Sequence, residues 1–327
     1  MSHSPVIAII DDYERFVPSL AAYNHLRKAL PGAVIRVIDQ QPFDKPCWSL
    51  LADVEYLVLV RERTKVTDEL LGSMPSLKAI VQTGGCGDPA TSHIDLAACS
   101  ARGVKVLEGR HSDGFSAAEL AWGLVLSATR QIPAYMVSMH EGKWQQGGSP
   151  RTISRSLRGQ TLGILGYGRI GQLMGRFGMA FEMSLLVWGG ENSKRAASEH
   201  GVRFATSRDE LFAQSDVVTL HLRMNANTRH SIGVRDLTLM KTTSLLVNTA
   251  RPGLIAPGAL EEALKQGHPG RAALDVHEHE PILVPKQVPC APASISTPHI
   301  GYVERESYEI LFGAAFKVLL EELERTF

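Results

Sequence analysis

The stretch that decides the fold reads Leu162-Gly163-Ile164-Leu165-Gly166-Tyr167-Gly168-Arg169-Ile170-Gly171. It is an apolar run followed by a G-x-G-x-x-G pattern, and a helical pattern continues from Gln172 to Gly178. In such a unit the first glycine permits a tight turn, the second lets the backbone approach a pyrophosphate, and the third lets the helix pack on the strand. A glycine-rich turn alone is weak evidence, but strand, turn and helix occur here in the required order. We therefore predict a dinucleotide site formed by Gly166, Tyr167, Gly168, Arg169, Ile170 and Gly171.

The acidic residue that usually ends the second strand of this unit is absent. That residue hydrogen-bonds the adenosine ribose in NAD-binding proteins, but here Trp188 is followed by Gly189 and, two positions later, by Glu191. Without the carboxylate a 2′-phosphate is not repelled, and no cation stands in its place. Lys194 and Arg195 follow closely, but a solvent-exposed helix is their more frequent setting. We expect Gly189 and Glu191 to contact the cofactor, with weak discrimination between NAD and NADP and a lean towards NAD.

Short apolar runs alternate with helical stretches along most of the chain. This alternation is typical of βαβ units and of a parallel sheet covered by helices. Eleven predicted strands are too many for one ordinary open sheet, so we predict an α/β protein with two sheets and two domains. The predicted strands are Val6–Ile10, Val34–Ile38, Tyr56–Val60, Leu77–Gln82, Val104–Leu107, Thr161–Leu165, Leu185–Trp188, Val217–His221, Leu245–Asn248, Ala272–Val276 and Ser294–Ser296.

The composition is that of an ordinary globular protein. The chain has 327 residues, a length typical of two domains, and its 34 basic side chains balance 34 acidic ones. A zero net charge with only 6% aromatic residues disfavours nucleic-acid and membrane-surface binding. The first apolar run is too short for a secretory signal, and no stretch is long enough for a membrane span. Four scattered cysteines fit free thiols in a reducing compartment, so we expect a cytoplasmic protein.

A polar, glycine-bearing stretch over 108–114 has the character of a hinge between domains. A helix is predicted directly after it, with Ser116 and Glu119 as its capping box. Pro133 is expected to kink or restart that helix. The last segment, 303–324, is predicted to be one long amphipathic helix.

Three later segments place a charged or titratable residue at the carboxyl end of an apolar strand. Arg251 ends the first of them, Asp275 the second, which runs on to Glu280, and His299 the third. Ligands of open α/β sheets bind at these strand ends. The three segments read Leu245-Leu246-Val247-Asn248-Thr249-Ala250-Arg251, Ala272-Ala273-Leu274-Asp275-Val276 and Ile295-Ser296-Thr297-Pro298-His299-Ile300-Gly301.

In order and spacing these segments resemble the D-isomer-specific 2-hydroxyacid dehydrogenase family. The family pattern has an arginine after an N-x-[SA] strand end, then A-x-D-V with a Glu-Pro, and then T-P-H-x-G. Here Glu280 lies 29 residues and His299 lies 48 residues beyond Arg251, and the likeness covers most of the chain from about Tyr56 onward. The resemblance implies two Rossmann-like or flavodoxin-like parallel-sheet domains with a cleft between them. Residues 1–111 and 302–327 would form the substrate-binding domain, and residues 112–301 the NAD(P)-binding domain.

The resemblance also implies an activity, namely hydride transfer between a nicotinamide cofactor, NAD or NADP, and C2 of a small 2-hydroxy or 2-keto acid. It assigns His299 as the acid/base, Glu280 as its partner and Arg251 as the clamp for the substrate carboxylate. Histidine suits proton transfer near neutral pH, and the planar guanidinium can meet a carboxylate with two hydrogen bonds. A homodimer is expected through the apolar stretch 119–139. Further cofactor contacts are expected for Thr249, Ala250, Arg251, Asp275 and Gly301.

The sequence departs from the family pattern around the expected substrate. The segment from Gln82 to Pro89 is longer than the usual turn, and Gly84 and Gly85 within it are predicted to contact substrate. Arg61 ends a strand on the same side and is predicted to meet a second carboxylate or a phosphate, although a surface ion pair is its more frequent role. Two further departures lie beside the cofactor, where Pro252-Gly253 follows the arginine and His221-Leu222-Arg223 replaces a proline-bearing turn.

Other functions remain as alternatives at this stage. A dinucleotide-sensing, corepressor-like binding protein of the same fold would lack turnover, but the partner-binding surface or disordered tail that it needs is not seen in the sequence. A dehydrogenase with an added regulatory domain is disfavoured because the chain ends just after its last predicted helix. The alternating residues His277-Glu278-His279-Glu280 suggest a metal site, but alternating ligands on an irregular segment seldom converge, so no metal is expected.

Overall fold

The computed structural model describes residues 4–40, 45–87, 92–145, 153–283 and 294–326. The chain divides into two compact units. The first, the split unit, comprises Met1–Ser112 and Val303–Phe327; the second, the fingerprint unit, comprises Asp113–Tyr302. Each unit contains one sheet whose described strands pair in parallel.

The strands of both sheets follow one another along the chain, the first five in the split unit and the rest in the fingerprint unit. They are β1 (Val6–Ile9), β2 (Val34–Val37), β3 (Tyr56–Leu59), β4 (Ala79–Thr83), β5 (Lys105–Gly109), β6 (Thr161–Leu165), β7 (Ser184–Trp188), β8 (Arg203–Phe204), β9 (Val217–Leu220), β10 (Leu245–Asn248), β11 (Arg271–Leu274) and β12 (Ile295–Ser296). The sheet orders are β2-β1-β3-β4-β5 and β12-β11-β10-β9-β6-β7-β8.

Helices cover the sheets and lie between most of the strands. They are α1 (Ala21–Ala29), α2 (Lys45–Trp48), α3 (Asp68–Gly72), α4 (Leu96–Ala101), α5 (Phe115–Arg130), α6 (Ile132–His140), α7 (Arg169–Ala180), α8 (Glu191–Glu199), α9 (Arg208–Gln214), α10 (Val234–Thr238), α11 (Ala259–Lys265) and α12 (Arg305–Thr326). Short 3₁₀ turns occupy Val17–Ser19, Ser49–Leu51 and Pro252–Leu254.

The central strands are buried at every position, which is the reason for their near-continuous apolar sequence. Tyr56–Leu59, Val217–Leu220 and Leu245–Asn248 have no exposed residue, as parallel strands covered on both faces require. The predicted α/β class with two parallel sheets is therefore confirmed. The predicted count of eleven strands was wrong, because the two-residue edge strand Arg203–Phe204 is too short to produce an apolar run.

The helix that follows the stretch 108–114, α5, begins earlier than the capping-box pattern predicted. Gly114 is its N-cap, with φ of 83°, and no side chain caps that end. Ser116 lies inside the helix, and its hydroxyl instead donates to the carbonyl of Gly301 at 2.9 Å. The predicted capping box was therefore wrong: a glycine that adopts the left-handed conformation starts the helix. The role of Pro133 is confirmed, since α5 ends at Arg130 and a new helix, α6, restarts with Pro133 at its beginning.

The last helix completes the split unit. Gly109, at the end of β5, has no side chain because a β-carbon there would lie 2.6 Å from the backbone nitrogen of Ala315. Glu309 accepts hydrogen bonds from the backbone N–H groups of Ala21 and Ala22, at 2.7 and 2.9 Å, and so caps α1. These contacts hold the first and last helices on the same sheet.

Three of the four cysteines lie within the described residues. Cys47, Cys86 and Cys99 are free thiols, and Cys290 lies outside the described residues. Among the described helices none has the length and apolar character to cross a membrane.

Candidate active site

A buried aspartate at the end of β11 organises the candidate site. Asp275 is fully buried, and its carboxylate accepts hydrogen bonds from the backbone N–H groups of Ile300 and Gly301, each at 2.9 Å. The hydroxyl of Thr297 donates to the same carboxylate at 2.6 Å. Burial raises the pKa of Asp275, and these hydrogen bonds oppose the rise. The contacts fix the segment 297–301 against the neighbouring strand.

His299 lies in the middle of that fixed segment and pairs with a glutamate. Its Nδ1 is 2.7 Å from Oε2 of Glu280, and the two side chains are 19% and 30% exposed. The other oxygen of Glu280 accepts the backbone N–H of His277 at 2.8 Å, so the carboxylate is held from both sides. The His299 ring also meets the edge of Tyr302, with centroids 5.7 Å apart. Because Nδ1 is committed to Glu280, Nε2 is the nitrogen available for proton exchange with a ligand.

Arg251 follows the adjacent strand and is held by a turn that Asn248 builds. The Asn248 amide donates to the carbonyl of Arg251 at 3.1 Å and accepts the N–H of Ala250 at 3.0 Å. One guanidinium nitrogen of Arg251 donates to the carbonyl of Ala250 at 2.7 Å. Thr249 lies in the same turn, half-buried. The sequence pattern predicted Asn248 only as the end of a strand. The asparagine of the N-x-[SA] pattern is the sequence signal for this turn.

Three predicted site residues thus follow three neighbouring strands at one edge of one sheet. Asn248 is in register with Leu274, and Leu274 with Ser296. Asp275 comes directly after Leu274, and Arg251 and His299 follow Asn248 and Ser296 by three residues each. This edge is where open α/β sheets bind their ligands.

The glycine fingerprint has the shape that a dinucleotide requires. Gly166 has a φ of 95°, and a β-carbon there would lie 2.7 Å from the carbonyl oxygen of His221. A β-carbon on Gly171 would lie 2.2 Å from the carbonyl oxygen of Gly166. At Gly168 a β-carbon would meet nothing within 4 Å, which leaves space where a pyrophosphate would approach the start of α7. The chain therefore fits a dinucleotide at this loop, with Arg169 and Ile170 in the first turn of the helix.

Tyr167 contributes to this loop through its backbone. Its side chain is buried and packs against Gly175 and the ring of His200. Its N–H donates to the hydroxyl of Ser193 at 3.0 Å.

Ser193 also lies beside the position where the ribose-binding acid is absent. A β-carbon on Gly189 would lie 2.6 Å from Oγ and 2.8 Å from Cβ of Ser193, so a side chain at 189 would require Ser193 to shift. Glu191 begins α8 and is exposed, and Lys194 and Arg195 lie on the exposed part of that helix. Gly189 and Ser193 can both be read from the sequence, but their close approach is visible only in the structure.

Arg61, predicted to contact substrate, belongs to the split unit and is tightly held there. It follows β3 with a φ of 54°, and its N–H donates to the Thr83 hydroxyl at 2.8 Å. Its guanidinium is 3.4 Å from Oε1 of Glu62 and lies against Gly84, where a β-carbon would come within 2.0 Å of Nη1. A β-carbon on Gly85 would lie 3.5 Å from Nε of Arg110. The end of the predicted loop, 88–89, lies outside the described residues.

The histidine-rich segment beside Glu280 does not assemble a metal site. Nε2 of His277 is 3.0 Å from the carbonyl oxygen of Thr297, so this ring bonds to backbone. Within the described ranges, no group of three histidine, cysteine or carboxylate residues is placed to hold a metal ion.

The sequence profile described as D-isomer specific 2-hydroxyacid dehydrogenase, NAD binding domain, matches residues 122–301. The chain belongs to this family. The resemblance predicted from the sequence is therefore confirmed, as is an NAD-binding domain.

Known members of the family are similar over much of the chain. A D-3-phosphoglycerate dehydrogenase of Methanocaldococcus jannaschii is 36% identical over 84% of this chain and 50% of its own length. A hydroxypyruvate reductase of Thermotoga maritima is 34% identical over 77% of this chain and 79% of its own length. The crystal structure of a phosphoglycerate oxidoreductase from Vibrio cholerae has a TM-score of 0.89 and 42% identity, covering 98% of this chain and 99% of that one. The chain spans about half the length of the curated D-3-phosphoglycerate dehydrogenases of Methanocaldococcus jannaschii and Archaeoglobus fulgidus.

Proposed function

We propose that this protein is an NAD(P)-dependent dehydrogenase of small 2-hydroxy acids that works mainly as a 2-keto acid reductase. The observation that carries the proposal is the His299–Glu280 pair, 2.7 Å apart, on the sheet that also carries the dinucleotide fingerprint. Relatives named hydroxypyruvate reductase and glyoxylate reductase support a small keto acid as substrate.

In the proposed reaction His299 donates the proton and Arg251 holds the substrate carboxylate. A bound nicotinamide supplies the hydride that adds to C2. His299 gives a proton from Nε2 to the oxygen of the keto group, so that C=O becomes CH–OH, and the ring then regains a proton from water. Glu280 keeps the ring oriented through its contact with Nδ1. Asp275 positions the segment that carries His299, and with Gly301, Thr249 and Ala250 it is proposed to line the nicotinamide side of the cofactor.

The two units would divide this work. We assign the cofactor to residues 112–301 and the substrate to residues 1–111 and 302–327, with Arg61, Gly84 and Gly85 on the substrate side. We further propose NAD rather than NADP as the preferred cofactor, because Lys194 and Arg195 lie on an exposed helix face and Arg195 bonds to Asn192 at 3.1 Å.

A homodimer is proposed from the surface of α6. Although this helix is apolar, none of its residues is buried. Met136, Val137 and Met139 are each more than half exposed, which is costly unless a second copy covers them. Light scattering at micromolar concentration tests this, and a monomer would contradict it.

The free thiols support a cytoplasmic location.

A panel of 2-keto acids with NADH and with NADPH tests the function. We expect loss of reduced-nicotinamide absorbance with at least one small keto acid. Binding of NADH without turnover of any keto acid would instead support the corepressor-like alternative.

A further inference from the structure

The loop Gly84–Gly85 of the split unit is flanked by two internal ion pairs. On one side the guanidinium of Arg61 lies against Gly84 and is 3.4 Å from the Glu62 carboxylate. These two side chains are only 17% and 22% exposed, so solvent screens their interaction incompletely. Arg61 also donates to the carbonyl of Thr83 at 3.4 Å. Its charge is therefore already surrounded by acceptors of its own unit.

The second pair lies on the other side of the loop. Glu108 accepts the backbone N–H of Cys86 at 2.6 Å, and its other oxygen pairs with Arg110. Burial opposes ionisation of Glu108, but the Cys86 N–H and Arg110 outweigh it and hold the pKa of this carboxyl below its usual value. Burial and the nearby Glu108 raise the pKa of the Cys86 thiol to about 12. Glu108 is thus an anion near neutral pH, and the cysteine between the pairs is uncharged.

A third arginine of the split unit, Arg63, also forms an ion pair within that unit. Arg63 is bonded to both carboxylate oxygens of Glu14, at 2.7 and 2.8 Å, and to the hydroxyl of Tyr308 at 3.0 Å. Its side chain is only 9% exposed. Arg61, Arg63 and Arg110 each pair with a carboxylate of their own unit, which offsets positive charge that a ligand would otherwise meet.

We propose that Glu62 determines the substrate class. The protein accepts 2-keto acids whose distal group is uncharged, such as a hydroxyl. It rejects 2-keto acids whose distal group is a phosphate or a second carboxylate. This inference rests on the proposed function, since it requires the substrate to place its distal group at Gly84–Gly85. A phosphate carries a charge of about −1.5 to −2 at neutral pH. It would have to displace Glu62 from Arg61 and remain beside that carboxylate and Glu108, whereas a hydroxyl can donate to either carboxylate.

The wild-type protein gives the first test. Hydroxypyruvate and its 3-phosphorylated form differ only in the distal group, and kcat/KM is measured for both with the preferred cofactor. We expect the unphosphorylated acid to be preferred by at least about tenfold, which corresponds to about 1.4 kcal/mol. A preference for the phosphorylated acid would overturn the inference while leaving the proposed function intact.

The variant Glu62→Gln gives the second test. It keeps the shape of residue 62 but removes the charge that competes for Arg61. We expect the ratio of kcat/KM, phosphorylated over unphosphorylated, to rise about tenfold. Asp53→Asn is the matched control, because Asp53 pairs with Arg36 elsewhere in the same unit and its loss should leave the ratio unchanged. An unchanged ratio in Glu62→Gln would contradict the inference, and Glu62→Ser repeats the test if the glutamine variant does not fold.

A binding measurement separates the two ways in which these assays could fail. Thermal unfolding is followed with D-glycerate and with D-3-phosphoglycerate in the presence of saturating cofactor, which needs no turnover. We expect glycerate to raise the wild-type Tm more than phosphoglycerate does, and we expect this difference to narrow in Glu62→Gln. Absence of turnover together with this pattern would reject the proposed function alone. A larger shift with phosphoglycerate in the wild type would reject the inference.

Discussion

The carboxyl edges of the two sheets are built in different ways. In the fingerprint unit, backbone groups position the key side chains: Asp275 holds the N–H groups beside His299, and glycines keep the pyrophosphate loop open. In the split unit, side chains hold one another, and arginines such as Arg61 and Arg63 pair with carboxylates of the same unit. The first design suits a ligand that varies little, such as a dinucleotide. In the second design, a change of one charged side chain alters which substrates are accepted, and this suits a variable substrate.

The largest effect is expected at the fingerprint edge. His299→Asn removes the proton donor while keeping a polar side chain, and we expect kcat to fall by about 10²–10⁴-fold. Cofactor binding, measured by quenching of protein fluorescence, should be nearly unchanged, because Asp275 still fixes the segment through its backbone. Near-normal turnover would remove His299 from the proposed reaction.

A smaller effect is expected at the ribose position. Gly189→Asp alone should lower kcat/KM with both cofactors, because its side chain would collide with Ser193. The double variant Gly189→Asp, Ser193→Gly removes both Ser193 atoms that a β-carbon at 189 would meet, and its ratio of kcat/KM for NADH over NADPH should exceed the wild-type ratio by about tenfold. Ser193→Gly is the control for the lost hydrogen bond to Tyr167. If the single variant gained the NAD preference equally well, Ser193 would not be the reason for the glycine.

The last expected effect is a pH dependence of stability, not of turnover, in the split unit. Burial raises the pKa of Asp11 from 3.8 to about 6. The folded state therefore holds this proton more tightly than the unfolded state, so the stability from this group is lost as pH rises from about 4 through 6. Asp11→Asn should remove that loss and stabilise the protein above pH 6 by at most about 3 kcal/mol. Asparagine suits the site because residue 11 has a φ of 68°.

Urea unfolding of both proteins at several pH values between about 4 and 8 measures this effect. The difference between the variant and the wild type should grow with pH and level off above 6. Two curves that run parallel throughout would show that Asp11 is not protonated preferentially in the folded state.

The sequence predicts the fingerprint unit better than the split unit, and the physical reason is locality. Gly166 and Gly171 belong to one strand–turn–helix pattern that is visible in a short stretch of sequence. Arg251, Asp275 and His299 each follow an apolar run that can be recognised as a strand. The pairing of Arg63 with Glu14 joins residues far apart in sequence and leaves no local pattern.

Local patterns also misled where a distant group competed. Ser116 and Glu119 match a capping box, but the carbonyl of Gly301 takes the serine hydroxyl. The competing group is a backbone carbonyl 185 residues further along the chain, so its position cannot be read from the segment itself.

The central claim is that the fingerprint unit supports hydride transfer to a keto acid, and isotope transfer tests it most directly. The best keto acid of the panel is incubated with reduced cofactor deuterated at C4 of the nicotinamide, and the product is analysed by mass spectrometry and chiral chromatography. We predict that only one of the two stereospecifically labelled forms of the cofactor donates its deuterium. With that form, the wild type should yield one D-2-hydroxy acid, deuterated at C2, for each cofactor oxidised. Oxidised cofactor without deuterated hydroxy acid, or a protein that binds cofactor and converts no keto acid, would contradict the account.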